Sequence, residues 1–550
     1  MRVRMGRRWI PGVVAIGLLL SACGGTSATP SATTSTAATG AAATAPASGS
    51  TLIYGTAVPV TSLDTAGTGG LLTYPAAFEA AFLVYDGLVR FNSKLQVQPD
   101  LASSWSVAAN GTTWTFHLRQ GVKFTDGTPF NATAAAWNLN RMISPKTNDT
   151  NRPIWDIFSS AKATGTYTLQ VSTKAPSGQV LNDLAHGSAL MVSPAAVQKY
   201  GSNYGIHPVG TGPYMVKSFQ PGTELNLVAN PGYWGGKPKL AGIDFKSIPD
   251  SATRIAALQS GQVQVIDTVP PENVAQLQSD PSLKVISVPG LQTFGVVLNE
   301  RIAPLNDPLV RQAFNDAVDK AAIVKTLFQG QASVMDSPLA PDTTGHAAQT
   351  PYPYDPAKAK SLLSQAGYTP GAGGVLAKGG RALSLTLSYP TTQYPAGAKV
   401  AQAIQSQLQQ IGVKVTLNPI DSASFFNTLR VPPSQEKYQM VLFGFNPSNA
   451  DGGYQLDSLF ESNPTQTALN VWNFGWYSNP AVDKLLRQAD VTTSATTRDG
   501  LLAQAEAQIW KDAPDIWLYV PAVVVATRAN VSGVSVLPIV FTMLRNASLS

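Results

Sequence analysis

From residue 51 onward, apolar residues recur along the chain at two spacings. Intervals of three and four residues are typical of helices that bury one face, and the short β-branched runs between them indicate strands. An Asp or Asn cap followed by Pro begins three of the helical stretches. Five helices are predicted, beginning at Asp307-Pro308, Asp355-Pro356, about Val400, Asn479-Pro480 and about Arg498. Helices that alternate with strands predict an α/β protein of mixed sheets covered by helices.

Local signals define three of the elements more closely. The apolar stripe after Asp307-Pro308 continues from Val310 to Phe328, which predicts one long helix that ends near Gly330. Asn110-Gly111 stands between two alternating runs and predicts a tight hairpin. The apolar run 440–445 predicts a buried strand that leads directly into a polar loop, the usual location of a binding site on an open sheet.

The first 50 residues predict an export signal and a linker. Four arginines precede an apolar run, residues 10–20, that is too short to span a bilayer and is typical of a secretory signal. Small residues before Cys23 resemble a bacterial lipoprotein signal, so residues 1–23 are predicted to be a signal peptide with lipidation at Cys23. An ordinary signal peptide with an incidental cysteine is the alternative, and export by the general or the twin-arginine route stays open.

Residues 24–50 contain neither a charge nor a large apolar side chain. Such a segment cannot bury enough surface to fold, which predicts a disordered Ala/Thr/Ser tether. A tether between a lipid anchor and a folded body places that body, by expectation, at the outer face of the cell membrane.

Composition and charge exclude one class of partner. The chain has 550 residues, enough for two or three packed units, and only 13% of them are charged. Its net charge is +6, but four of the 38 basic residues lie before residue 51, where there is no Asp or Glu. The other 34 basic residues nearly balance the 32 acidic ones. This balance gives no field that attracts phosphate, so nucleic-acid binding is not expected.

Motifs of enzyme and metal chemistry are missing from the sequence. The four histidines lie far apart, Cys23 is the only cysteine, and no H-E-x-x-H, G-x-S-x-G or P-loop motif occurs. No metal, cofactor or catalytic residue is therefore expected. Paired carboxylates for glycoside cleavage have no fixed spacing in sequence, so an exported glycoside hydrolase remains an alternative.

An ordered series of short phrases gives the chain a resemblance to a known family. The phrases occur at Tyr85-Asp86-Gly87-Leu88-Val89, Phe116-His117-Leu118-Arg119-Gln120-Gly121-Val122-Lys123-Phe124, Asp126-Gly127-Thr128-Pro129-Phe130, Gly210-Thr211-Gly212-Pro213-Tyr214, Tyr233-Trp234-Gly235, Asp307-Pro308-Leu309-Val310-Arg311-Gln312-Ala313, Ala366-Gly367-Tyr368 and Ile411-Gly412-Val413. In these phrases the chain resembles the extracellular solute-binding proteins of ABC importers that carry peptides, nickel and related solutes. The series covers nearly all of the body from residue 51.

The resemblance implies a fold and a domain organisation. The fold is expected to be α/β, of the two-lobed periplasmic-binding-protein type II, with an extra subdomain on the first lobe. Lobe I is predicted to comprise residues 51–90, 206–290 and 526–550, the extra subdomain residues 91–205, and lobe II residues 291–525. A hinge between the lobes allows such a protein to close around a solute.

The end of the predicted strand 440–445 and the segment after it supply four predicted ligand-binding residues: Phe445, Asn446, Ser448 and Asp451. In peptide-binding members of the family the matching phrase looks like Gly-Trp-x-x-Asp, and its Asp receives the amino terminus of the peptide. Here Ser448 occupies the Asp position. Asp451, three residues later, either takes over that role through a loop shift or is a solvated turn residue.

Aromatic residues and their neighbours supply the other predicted ligand-binding positions. Trp472, Asn473 and Trp476 stand in a Gly-containing loop, where large rings either form core or line the cleft. Trp137 stands at the start of a short helical stretch, and its alternative role is packing within the small lobe. Thr293 and Phe294, just beyond the predicted crossing between lobes, complete the set.

These features together predict a monomeric, lipid-anchored solute-binding protein that performs no catalysis. Its predicted partners are a peptide or small organic solute and an ABC permease with its ATPase subunits. A binder of oligosaccharide, opine or nickel chelate in the same fold is the alternative within the class. The glycoside hydrolase is the alternative from another class.

Overall fold

The structure is a computed structural model that describes residues 49–66, 75–147, 152–422, 424–431, 435–462 and 472–550. The predicted signal peptide, Cys23 and nearly all of the predicted tether lie outside the described residues. Among the described residues, no helix combines the length and the apolar character needed to cross a bilayer.

The strands of the described residues fall into one large sheet and several small ones. In chain order they are β1 Thr51–Thr56, β2 Val89–Phe91, β3 Val97–Pro99, β4 Ala102–Val107, β5 Thr113–Leu118, β6 Phe158–Gly165, β7 Thr168–Thr173, β8 Tyr214–Gln220, β9 Glu224–Ala229, β10 Gly242–Ser247, β11 Val265–Ile266, β12 Leu283–Pro289, β13 Thr293–Leu298, β14 Ala332–Val334, β15 Thr369–Pro370, β16 Leu376–Lys378, β17 Arg381–Ala382, β18 Ser384–Pro390, β19 Lys414–Ile420, β20 Met440–Phe445, β21 Asp515–Arg528, β22 Val531–Ser532, β23 Ser535–Leu537, β24 Phe541–Met543 and β25 Ser548–Leu549.

The large sheet is mixed, and β21 connects its two halves. Its strand order is β19-β18-β20-β13-β21-β11-β1-β10-β9-β8, and β12 and β14 also pair with β21. Residues 515–519 of β21 pair with β13, whereas residues 522–528 pair with β12. One long strand therefore belongs to both halves of the sheet, and its pairing changes beside Pro521.

A separate antiparallel sheet, of order β4-β5-β7-β6, lies within residues 102–173. The predicted hairpin is confirmed, because Trp105 pairs with Phe116 across β4 and β5. Its turn is set locally: the Asn110 side chain accepts a hydrogen bond from the Thr112 amide, and Gly111 takes a positive φ of 68°.

The helices of the described residues begin mostly at capped positions. In chain order they are α1 Pro75–Val84, α2 Ala132–Ile143, α3 Arg152–Trp155, α4 Val180–Ala185, α5 Pro194–Tyr200, α6 Ser251–Gln259, α7 Val274–Gln278, α8 Pro308–Ala317, α9 Lys320–Ile323, α10 Pro356–Gln365, α11 Gly397–Gln410, α12 Phe425–Leu429, α13 Gly452–Phe460, α14 Pro480–Asp490 and α15 Ala495–Asp512. The side chains of Asp307, Asp355 and Asn479 accept hydrogen bonds from the first turns of α8, α10 and α14, as the sequence predicts.

The prediction of one continuous helix from Asp307-Pro308 to Phe328 is wrong, but its predicted end near Gly330 is confirmed: a π-helix, Val324–Phe328, follows α9, and Gln329 and Gly330 take positive φ. Helix α8 ends at Ala317, where Val318 is extended, and Asp319 caps the short helix α9. The Lys320 ammonium donates a hydrogen bond to the Asn315 carbonyl oxygen, one of the last carbonyls of α8. The chain therefore breaks between α8 and α9: Asp319 caps the new helix, and the Lys320 ammonium covers the carbonyl end of α8.

The two faces of the β13–β20 region pack against different partners. On one face, Val296 and Leu442 belong to an apolar core with α8, α10 and α11. On the other face, Val441, Phe443 and Phe445 belong to a core that also contains residues of the β4-β5-β7-β6 sheet. The second face therefore positions the residues of the predicted site.

Candidate functional site

Strand β20 and the loop after it bring several predicted site residues together. The strand ends at Phe445, and residues 446–451 form a loop (the site loop) that leads into α13. Phe445 pairs with Thr293 at the start of β13, and Gly444 pairs with Phe294. The predicted strand followed by a polar loop is confirmed, and residues about 150 positions apart in sequence are neighbours.

Phe294 points away from the site loop. Its ring stacks on Tyr519 with centroids 5.1 Å apart and meets the Tyr394 ring edge-on at 4.9 Å. A Cβ added at Gly444 stands only 2.5 Å from the Phe294 ring, so glycine is needed behind it. Phe294 therefore packs within the core, whereas the Thr293 hydroxyl oxygen accepts a 2.8 Å hydrogen bond from Gln455.

Trp472 and the four aromatic residues around its indole form a cluster, which we call the aromatic wall. They are Phe426, Phe443, Phe445, Trp472 and Phe474. The Trp472 ring stacks on Phe443 at 6.1 Å and meets Phe445 and Phe426 nearly edge-on at 5.9 and 5.5 Å. Offset and edge-to-face pairs of this kind hold their rings in fixed orientations. The structure thus brings Trp472 and Phe445, both predicted site residues, to one apolar surface.

Arg430 covers the aromatic wall with a positive charge. Its guanidinium lies 4.2 Å from the centre of the Trp472 ring and 5.3 Å from that of Phe426. Desolvation by these neighbours lowers the pKa of Arg430 below its usual value. Among the described residues no carboxylate forms an ion pair with Arg430, and the buried Trp472 Nε1 has no hydrogen-bond partner there. The Arg430 guanidinium and the indole N–H of Trp472, a hydrogen-bond donor, are thus available beside the aromatic wall.

Asp451, the predicted amine anchor, is engaged within the protein. Its side chain caps α13 by accepting a hydrogen bond from the Tyr454 amide. Its two carboxylate oxygens also accept hydrogen bonds of 2.7 and 2.8 Å from the Arg498 guanidinium. Both side chains are almost fully buried. This geometry describes a structural ion pair rather than a solvated turn residue, and the amine-anchoring role stays a prediction.

The site loop forms hydrogen bonds with α4 and its neighbours, residues 179–188, and we call these contacts the polar seam. They join His186 Nε2 to Ser448 Oγ at 2.9 Å, Asn182 Nδ2 to the Asn449 carbonyl at 3.0 Å, and Asn449 Nδ2 to Asp183 Oδ1 at 2.8 Å. In the predicted domain organisation the two sides of the seam belong to different lobes. In that organisation, opening of the lobes would have to break the polar seam.

His186 enters the polar seam as a neutral imidazole. Burial lowers its pKa to about 3. Its Nδ1 accepts a hydrogen bond from the Ser188 amide, so the proton lies on Nε2, which donates to the Ser448 hydroxyl. Ser448 is thus held by a neutral donor at the position where peptide-binding family members carry an Asp.

The remaining predicted site residues lie apart from the aromatic wall or brace its loop. Asn473 is buried, and its side chain bonds to the backbone of Glu461 and Tyr477. The Trp476 ring lies under the Arg301 guanidinium at 4.5 Å. Trp137 is half-buried in α2, against the core that contains β1 and β10. Asn446 donates to the Ile539 carbonyl at 3.2 Å.

Sequence reasoning missed Phe426 and Arg430. Both belong to the segment around α12, where an aromatic residue precedes an arginine by four positions. On a helix, this spacing places the two side chains on the same face. That pattern was the signal that could have identified them.

Metal ligands do not gather in the described part of the chain: no group of three or more His, Cys, Asp or Glu side chains there is arranged to hold an ion. The aromatic wall and Arg430 suit an organic solute with a carboxylate group.

The mixed α/β fold, with one large sheet that contains β21 in both halves, is that of the periplasmic binding proteins of type II. Structures of such proteins superpose closely on this chain. DppA from Helicobacter pylori, a periplasmic binding protein in complex with peptide STSA, has a TM-score of 0.77 and 26% identity, covering 91% of this chain and 98% of its own. NikA from Brucella suis, in complex with Fe(III)-EDTA, has a TM-score of 0.80 and 25% identity, covering 91% and 100%.

Sequence comparison identifies the family. The model of the bacterial extracellular solute-binding proteins, family 5, matches residues 96–467. The glutathione-binding protein GsiB of Pectobacterium atrosepticum is 32% identical over 468 residues, 85% of this chain and 88% of its own. The chain therefore belongs to the family 5 solute-binding proteins of ABC importers. The resemblance and the fold class predicted from the sequence are confirmed, whereas the lobe boundaries and the ligand-binding residues stay predictions.

Proposed function

We propose that the chain captures a short peptide with a free carboxyl terminus at the aromatic wall and delivers it unchanged to an ABC permease and its ATPase subunits. Two similarities support a peptide as the solute. The GsiB relatives are described as glutathione-binding, and glutathione is a tripeptide. DppA, at 26% identity, holds the peptide STSA.

One observation carries the choice of solute: Arg430 lies on the aromatic wall with no carboxylate partner among the described residues. A guanidinium has donors arranged to bind a carboxylate in bidentate fashion. The rings beside it exclude water, which strengthens that interaction. The indole N–H of Trp472, which has no hydrogen-bond partner in the part of the chain that the structure describes, adds a second donor at the same place.

The polar seam gives the proposal its capture step. Its hydrogen bonds join the site loop to residues 179–188 and therefore form only when the two sides approach. A solute that bridges both sides stabilises the closed form, because a ligand shifts an equilibrium toward the state that it binds better. Closure then shields the solute until the permease opens the protein.

The proposal also covers the location of the protein. It comprises a signal peptide at residues 1–23, lipidation at Cys23, a flexible tether to residue 50 and a monomeric body at the outer face of the cell membrane. The basic and apolar pattern of the first 23 residues and the composition of the next 27 support it. Labelling with a radioactive fatty acid tests the anchor, since Cys23→Ala is expected to abolish incorporation.

Binding calorimetry with purified protein tests the solute. The panel contains glutathione, Ala-Ala-Ala with a free or an amidated carboxyl terminus, an oligosaccharide, an opine and a nickel–histidine chelate. Arg430→Met is expected to lower the affinity for the tripeptide with a free carboxyl terminus by about 10- to 100-fold, the effect of losing a hydrogen bond to a charged group. The affinity for the amidated tripeptide is expected to stay unchanged.

Arg301→Met is the matched control, because Arg301 also lies over a tryptophan, Trp476, but outside the aromatic wall. It is expected to leave both affinities unchanged. If Arg430→Met lowers the affinity for the free and the amidated peptide equally, Arg430 does not bind the carboxylate. Binding of only the sugar or the chelate, or chemical conversion of any compound by mass spectrometry, contradicts the proposal.

A further inference from the structure

A cavity of about 120 Å³ lies between residues 174–179, which follow β7, and the helices α13 and α14. A single water needs roughly 10–15 Å³ of such space, so the cavity has room for several waters or for the end of a long side chain. Its polar lining is formed by Lys174, Ser177, Gln179, Tyr454, Asp457 and Asp490.

The cavity carries two carboxyl groups that interact with each other. Asp457 and Asp490 share a hydrogen bond, which requires a proton on one of them. Asp457 Oδ1 is buried and has no hydrogen-bond partner among the described residues. Asp490 Oδ1 accepts a 3.2 Å bond from Gln179 across the cavity. The cavity therefore presents acceptor oxygens that the protein itself leaves partly unsatisfied.

Negative charge exceeds positive charge around this cavity. Asp183 and Asp451 lie close enough to influence Asp490 or its neighbours, and Arg498 is the buried cation among them. Both oxygens of Asp451 already hold Arg498. Burial and the proximity of Asp490 raise the pKa of Asp457 well above its usual range. Without a ligand a shared proton removes one of the two negative charges of the pair, and a cation in the cavity would take over that role.

The remaining walls suit the stem and the head of a basic side chain. Ile157 and Val491 supply apolar surface for methylene groups, and the Tyr454 ring supplies a face for a cation. Lys174 is exposed at the rim and forms no ion pair with Asp457 or Asp490. Among the described residues, no ion pair thus occupies either carboxyl group of the cavity.

Tyr454 lies between the cavity and the aromatic wall. The ring of Tyr454, which lines the cavity, lies 5.9 Å from Phe445 of the wall. A side chain of a peptide held at the wall would therefore have to pass Tyr454 to enter the cavity. The cavity also takes residues from both sides of the polar seam, so a side chain bound in it contacts both.

We propose that this cavity is a subsite for the ammonium or guanidinium group of a basic side chain, with Asp457 and Asp490 as its acceptors. The inference rests on the proposed function, because the peptide backbone has to be held at the aromatic wall. It gives the importer a preference for peptides that contain lysine or arginine.

Calorimetry with matched tripeptides tests the subsite. Ala-Lys-Ala is compared with Ala-norleucine-Ala, and Ala-Arg-Ala with Ala-citrulline-Ala, because each pair differs mainly in charge. The wild-type protein is expected to bind the basic member about tenfold more tightly or better. In Asp490→Asn, the new side chain can still accept the hydrogen bond from Gln179. This variant is expected to lose the preference for the basic peptide and to bind the norleucine peptide with an affinity within about twofold of the wild-type value.

Asp342→Asn is the control, because it removes one exposed carboxylate elsewhere and is expected to keep the full preference. Asp457→Asn provides a second cavity variant, should the first fail to fold. Equal affinity for charged and neutral peptides in the wild-type protein overturns the subsite and leaves the proposed function standing. Failure of every tripeptide to bind overturns both.

Discussion

Removal of the buried ion pair between Asp451 and Arg498 tests whether these residues stabilise the fold or bind the solute. The side chains are 3% and 4% exposed, and two hydrogen bonds of 2.7 and 2.8 Å join them. Arg498 lies in α15, 47 positions from Asp451, and ties that helix to the start of α13. Loss of either partner leaves the other buried in a region of low dielectric constant.

Substitution of Arg498 and substitution of Asp451 are expected to cost different amounts of stability. Arg498→Met leaves Asp451 without its cation and removes positive charge from the surroundings of Asp457 and Asp490. Loss of one partner of a buried pair typically costs about 3–5 kcal/mol. Asp451→Asn leaves Arg498 near the other two carboxyl groups and can still cap α13, so its cost is expected to be smaller, about 1–3 kcal/mol.

Urea unfolding followed by tryptophan fluorescence measures these costs. Arg487→Met is the matched control, because Arg487 is 62% exposed and pairs with Glu461 at the surface. Its expected cost is below about 1 kcal/mol. A cost for Arg498→Met as small as that of the control refutes the reasoning. If Asp451→Asn loses affinity for peptides with a free amino terminus but not for acetylated ones, Asp451 binds the solute instead.

Two further substitutions test the packing and the electrostatics of the body. Burial raises the pKa of Glu506 to about 8, so the folded state keeps a proton that the unfolded chain releases above about pH 4.5. Stability should therefore fall as pH rises from 4.5 to 8, by at most about 1.4 kcal/mol per pH unit, and Glu506→Gln should flatten this dependence in urea unfolding. Gly444→Ala places a Cβ 2.5 Å from the Phe294 ring and should lower the unfolding free energy by about 1–3 kcal/mol. Gly500→Ala, in open space on α15, should instead be neutral or stabilising, and equal effects of the two alanines would contradict the packing argument.

Local chemistry determined the beginnings of the helices. The side chains of Asp307, Asp355 and Asn479 accept hydrogen bonds from amides two or three residues later, and proline fixes the first helical position. All of these atoms are close in sequence, which is why the pattern alone predicted them. The helix predicted from about Arg498 begins slightly earlier, at Ala495, because helix termini depend on weaker local signals.

Interactions distant in sequence decided the end of α8. The stripe from Val310 to Phe328 has the spacing of one continuous helix, yet the chain breaks at Val318. Asn315 bonds to the backbone of Asp515 and Trp517, 200 positions away, and Lys320 closes over the last turn. The gain from these contacts with β21 outweighs the local preference for a longer helix, and periodicity cannot contain that information.

The features of the site also fall into those set by local sequence and those set by contacts between distant residues. The sequence by itself determined that a buried strand leads into the polar site loop and that the family is that of the solute-binding proteins; that Ser448 takes the place of the family's Asp stays a prediction. Tertiary structure alone decided that Asp451 holds Arg498, that Phe294 turns into the core, and that Arg430 covers Trp472. A strand and its loop follow from neighbouring residues, whereas charge pairing and the direction of a side chain depend on which distant segments share the same space.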